Sequence, residues 1–134
     1  MSDLRPAALL YIYKEDGRTI IVTDTNDVGI GDSLNAALDD MHKTSAGEVF
    51  LDTVDYVLVT EQTKNCIPEL MQILRPSANL VMATGEIDVK SASEFLAIHR
   101  SEISLKDYMQ EAQELPKMMT VGERYYLEPE NRGK

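Results

Sequence analysis

Gly29-Ile30-Gly31-Asp32-Ser33 is the stretch whose residue types come nearest to site chemistry, because two glycines and a hydroxyl just ahead of a helix resemble an anion-holding turn. It lacks the third glycine of a dinucleotide fingerprint and the Gly-Lys-Ser/Thr of a phosphate loop, and Asp27 and Asp32 would repel phosphate. A turn followed by a helix N-cap accounts for the same residues. His42 and His99 stand near predicted helix ends, where a cation favours the dipole, and no serine or cysteine is placed beside either. Asp52, Asp55 and Glu61 flank one strand without calcium-loop spacing, so they read as solvated strand ends. Cys66 is the single cysteine and sits among apolar helix positions, as a buried, inert thiol would. These residues supply no catalytic set, no metal set and no cofactor site.

Charge narrows the partners. Thirteen basic residues against 23 acidic ones leave a net charge of −10, which disfavours nucleic acid. No apolar run approaches the ~20 residues that span a bilayer. The N-terminus lacks the basic, apolar and small-residue succession of an export signal. On composition the chain is a cytosolic protein or a soluble piece of something longer, and strand-like sequence by Ala7 is compatible with an excised domain.

The elements that would position these side chains are organised around residues 55–60, Asp-Tyr-Val-Leu-Val-Thr, a run suited to a strand covered on both faces. Residues 7–13 and 19–25 predict an antiparallel hairpin, joined through Asp16-Gly17. Residues 33–43 predict a helix with Leu34, Ala37, Leu38 and Met41 on one face, capped by Asp32 or Ser33. Ile67, Leu70, Met71 and Leu74 mark a second helix, which tolerates Pro68 in its first turn and closes at Arg75-Pro76. A further buried strand spans 79–84, a third helix 88–99, and a last helix capped by Ser104 carries Leu105, Tyr108, Met109 and Ala112.

The predicted fold is therefore α/β: a mixed sheet with an N-terminal antiparallel hairpin followed by alternating helices and strands, helices covering the sheet. Residues 1–117 form the single domain, and 118–134 are a tail or linker. Met118 and Met119 fall between helix and tail, and Tyr125-Tyr126-Leu127 is the tail's one apolar cluster, which reads as an edge strand or a linker segment. Together these five residues are the candidate interaction surface, expected to contact a partner rather than the domain's own core.

Taken as a series, several segments resemble the N-terminal domain of the Ger(x)C family, the lipoprotein C subunits of spore germinant receptors. The matching pieces are Ile12-Tyr13-Lys14-Glu15-Asp16-Gly17, Gly31-Asp32-Ser33-Leu34-Asn35-Ala36-Ala37-Leu38, Phe50-Leu51, Val59-Thr60-Glu61 and Leu74-Arg75-Pro76, in order over residues 7–115. The chain departs from the family at Thr53, where a histidine is usual, and it carries no lipid-bearing cysteine, export signal or following domains. The resemblance implies a non-enzymatic protein-interaction domain, extracytoplasmic and membrane-associated through an anchor on a longer parent. Its implied partners are protein subunits of a membrane receptor. The alternative is a small α/β enzyme or an anion- or nucleotide-binding module using the Gly29 to Ser33 loop.

Overall fold

A computed structural model describes residues 4–45 and 47–128. Among these residues nine strands and four helices follow one another as β1 (Leu4–Pro6), β2 (Leu9–Glu15), β3 (Arg18–Thr23), β4 (Val28–Gly31), α1 (Leu34–Thr44), β5 (Glu48–Phe50), β6 (Tyr56–Val59), α2 (Ile67–Leu70), β7 (Asn79–Ala83), α3 (Val89–Ile98), α4 (Leu105–Gln110), β8 (Lys117–Val121) and β9 (Arg124–Glu128). Seven strands form one mixed sheet in the order β4-β3-β2-β6-β7-β8-β9, while β1 and β5 pair in parallel as a small separate sheet. The fold is α/β, with the antiparallel hairpin at its start and helices over the sheet.

The β2–β3 turn needs positive φ at two consecutive residues, and Asp16 at 53° with Gly17 at 77° supplies it. From β2 onward the sheet turns parallel: β2 to β6, β6 to β7 and β7 to β8. All four residues of β6 are buried, as its uninterrupted apolar run requires of a strand at the middle of the sheet.

Strand periodicity splits the core in two. Leu10, Ile12, Ile21, Val57, Val59, Leu80 and Met82 face α1, α2 and α4. Leu9, Tyr11, Tyr56, Leu58, Val81 and Ala83 face the other way, where α3 is the one helix. The helix starts are set by their side chains. Ser33 caps α1 by accepting from the Ala36 amide at 3.1 Å, and Asp88 caps α3 by accepting from Ser91. Ser104 and Asp107 complete a reciprocal capping box on α4.

Four expectations change. Residues 28–31 are a strand, β4, paired antiparallel with β3, so the N-terminal unit is a three-stranded meander rather than a hairpin followed by a loop. Gly29 and Gly31 are glycine because α1 lies directly on them: a Cβ on Gly29 would sit 2.8 Å from the Cβ of Met41 and closer still to the Ala37 carbonyl oxygen, and one on Gly31 2.6 Å from the Cβ of Ala36. The second helix is short. A 3₁₀ turn at Lys64–Cys66 leads into α2, and bonds from Gln72 to Glu69 and from Ile73 to Leu70 tighten the turn at its end, while Leu74 stays buried. The last helix ends at Gln110, before Ala112, because Glu111 turns to extended backbone.

The fourth change concerns the segment set apart as a tail from residue 118. Its described part, 118–128, belongs to the sheet: β8 extends β7 in parallel and β9 folds back on β8. A two-residue loop, Gly122-Glu123, makes the return with Gly122 at φ 64°.

Candidate interaction surface

The five residues expected on an exposed surface divide between inside and outside. Met118 is fully buried, because its pairing beside Ala83 turns it toward the α3 side of the core, and its neighbour across the hairpin, Leu127, is 7% exposed on the same face. Both belong to this domain's own core, contrary to the sequence expectation. Met119 and Tyr125 are half-buried, and Tyr126 is exposed at 46%.

Tyr125 fastens β9 to the start of α3. Its hydroxyl accepts from the Asp88 amide at 2.9 Å and lies 3.4 Å from the Asp88 carbonyl, which it can bond as donor. Its ring sits 5.9 Å from that of Phe95, which in turn stacks on His99 at 4.5 Å. Between the end of α3 and β9 this arrangement leaves a cleft of about 330 Å³, lined by Phe95, Ile98, His99 and Arg100 on one side and Arg124 through Leu127 on the other. Ile98 is 79% exposed at its mouth.

Two arginines and a histidine line the cleft and no carboxylate does, in a chain with a net charge of −10. Among the described residues, neither Arg100 nor Arg124 has an acidic partner; Arg100 instead lies over the Tyr56 ring, 5.5 Å from its centre. The cleft borders β9, the last strand of the sheet, and no described residue pairs with its outer side. An apolar mouth, guanidinium groups with no acidic partner among the described residues and a strand edge that no described residue pairs with together suit an extended, acidic polypeptide carrying one large apolar side chain.

Phe95, Ile98, Arg100 and Arg124 are not singled out by the sequence, which marks His99 only as a helix-end histidine. Ile98 alone left a signal, since it falls two positions after Leu96 and off the stripe formed by Val89, Ala92 and Leu96.

The other candidates resolve separately. Asp55 is ion-paired with Arg75 and Glu61 with Lys64 at 3.0 Å, at opposite ends of β6. The latter contact raises the Lys64 pKa. Cys66 is buried, and burial followed by the nearby Glu69 charge raises its pKa, so the thiol stays protonated at neutral pH. His42 and His99 are both exposed. Thr53, at the position where the resembled family has histidine, donates to the Ala7 carbonyl at 2.7 Å and ties the β5–β6 connection to the segment before β2. Among the described residues no three His, Cys, Asp or Glu side chains converge as metal ligands would, and no helix is long and apolar enough to cross a membrane.

No protein-family model, curated protein or solved structure matches the chain.

Proposed function

We propose that this chain is a non-enzymatic protein-interaction domain whose contact surface is the cleft between α3 and β9. The observation that carries this reading is the lining of that cleft: exposed Ile98 and Tyr126 beside Arg100 and Arg124, with no acid among them, on an otherwise acidic protein. Buried aromatic and arginine anchors dominate protein contacts, and charge complementarity selects an acidic partner segment. Such a segment can add to the free side of β9 while placing an apolar residue beside Ile98.

The segment resemblance to germinant-receptor C subunits supplies the partner class: extracytoplasmic portions of membrane receptor subunits, met by this domain as part of a membrane-associated protein. The anion-binding alternative loses its physical basis in Gly29 and Gly31, which are strand residues pressed against α1.

Titration of the isotopically labelled domain with soluble extracytoplasmic segments of spore germinant-receptor membrane subunits tests the proposal. We expect amide shifts concentrated on residues 95–100 and 124–128, and a loss of about 2 kcal/mol in affinity for Ile98→Ala with Tyr126→Ala. Shifts concentrated elsewhere, or full affinity in the double variant, overturn the assignment of the surface.

A further inference from the structure

The connections after β6 and β7 leave the sheet on opposite sides: the chain passes from β6 to α2 on one face and from β7 to α3 on the other. In open α/β sheets the carboxyl ends of strands flanking such a reversal form a crevice where small ligands bind. Beside that reversal, over β2 and β3, a cavity of about 410 Å³ lies on the α3 side, lined by Tyr11, Tyr13 and Val22 from the sheet and by residues 85–89 from the loop after β7. Its volume falls within the range of small-molecule sites.

The walls have a defined chemistry. The Tyr11 and Tyr13 rings stack with centres 4.8 Å apart and 26° between planes. Neither phenol hydroxyl makes a hydrogen bond to a described residue, and neither is a buried orphan. Strand alternation puts Glu15 next along the same face, and its charge, after burial, is the second reason the Tyr13 pKa is raised. Glu86 and Asp88 enter from the loop, and no lysine or arginine lines the cavity. The N-terminus of α3 opposes a cation, but the Asp88 carboxylate occupies it, accepting from the Ser91 amide at 3.1 Å and hydroxyl at 2.6 Å.

From this geometry we infer that the crevice binds a small organic cation of the ammonium type, its charge against the half-buried Tyr13 ring, with Tyr11 stacked behind it, and its counter-charge supplied by Glu86. Aromatic faces attract ammonium groups through the ring quadrupole, most strongly where water is partly excluded. The phenol hydroxyls remain donors for an oxygen on the ligand, because burial raises both tyrosine pKa values. The site lies at the start of α3, whereas the protein-contact cleft lies at its end, so each assignment stands or falls independently.

The test is a titration of the labelled full chain, followed by amide shifts, with choline and with its neutral isostere 3,3-dimethylbutanol. We expect saturable shifts at Gly85, Ile87 and Tyr13 with choline, and binding at least tenfold weaker for the isostere. Tyr13→Leu, which keeps apolar bulk at the site, should weaken choline at least tenfold, and Glu86→Gln, on an exposed loop, about threefold. Shifts that rise linearly without saturating, equal binding of the isostere, or unchanged affinity in both variants overturn the inference.

Discussion

At one edge of the large sheet β4 is overlaid by α1, whose Asp40 carboxylate accepts the Ile30 amide at 2.9 Å and whose Thr44 hydroxyl reaches the Val28 carbonyl at 3.4 Å. At the other edge β9 has no described partner beyond it, and Arg124 and Tyr126 project from it. On the first edge the Ile30 amide is taken by a side chain of the helix that comes next in sequence, so it offers less to a second strand. The second presents amides and carbonyls that no described residue pairs with, beside a cleft lined by Ile98, Tyr126 and two arginines. Exposed strand edges invite pairing unless they are blocked, so a fold that closes one edge and leaves the other open directs association to a single side.

The closed edge depends on backbone approach, and the largest effect should come from removing it. Gly29→Val inserts side-chain atoms where the Ala37 carbonyl and Met41 already are. We expect a loss of at least about 3 kcal/mol, read as a large drop in denaturant midpoint, because rigid backbone cannot move aside. A variant as stable as the parent would mean that α1 does not seat on β4.

The open edge should respond unequally at adjacent residues. Tyr125→Ala deletes the ring against Phe95 and leaves the Asp88 amide without its acceptor, so about 2 kcal/mol of stability should be lost. Tyr126→Ala, at an exposed position, should change stability by less than about 0.5 kcal/mol. Equal effects in thermal melts would contradict the division between an inward Tyr125 and an outward Tyr126.

Asp40→Ala opens the closed edge without disturbing the core. The cost should be about 1 kcal/mol, the value of one lost backbone partner, with increased self-association by sedimentation as the diagnostic. A monomeric variant of unchanged stability would show that the Asp40 contact does not protect the edge.

The smallest expected effect is one of pH. Hydrogen bonds from the Ser91 hydroxyl and amide hold the Asp88 carboxyl below its ordinary value. The unfolded chain therefore takes up the proton first as pH falls. The stabilisation is complete above the unfolded value, near 3.9, and is lost as pH drops through the lower folded value. Amide exchange, after correction for its intrinsic pH dependence, should quicken at the α3 start and β9 in that window while β4 is unaffected. Equal quickening at both edges would remove the asymmetry.

Much of the closed side is legible in the sequence and much of the open side is not, for physical reasons. Asp16-Gly17 specifies its turn through positive φ, residues 55–60 specify a central strand through an unbroken apolar run, and Ser33 and Ser104 specify caps through their hydroxyls. Gly29 and Gly31 misled because a glycine that admits a helix and a glycine that forms a loop are the same letter. In β8 and β9 the inward residues Met118 and Leu127 are outnumbered by polar neighbours, so residues 125–127 read equally as an edge strand or a linker; the edge strand is what forms, against a β8 that left no pattern of its own. The cleft itself joins residues about 25 apart in sequence, through a packing of α3 on β9 that no local pattern encodes.

The seam at β2 has a kinetic consequence. On one side it pairs with β3, immediately next in sequence; on the other it pairs with β6, with Leu9 opposite Tyr56. The meander and α1 close short loops, whereas the parallel strands must first close loops of several tens of residues, whose entropy is lost before any contact repays it. The meander should therefore be formed in the folding transition state and the β8–β9 hairpin added after it. Conservative substitutions at Ile21 should then slow folding, and those at Leu127 should mainly hasten unfolding, a contrast that appears in opposite arms of the chevron. The region proposed to meet partners would thus also be the first to open when the domain unfolds.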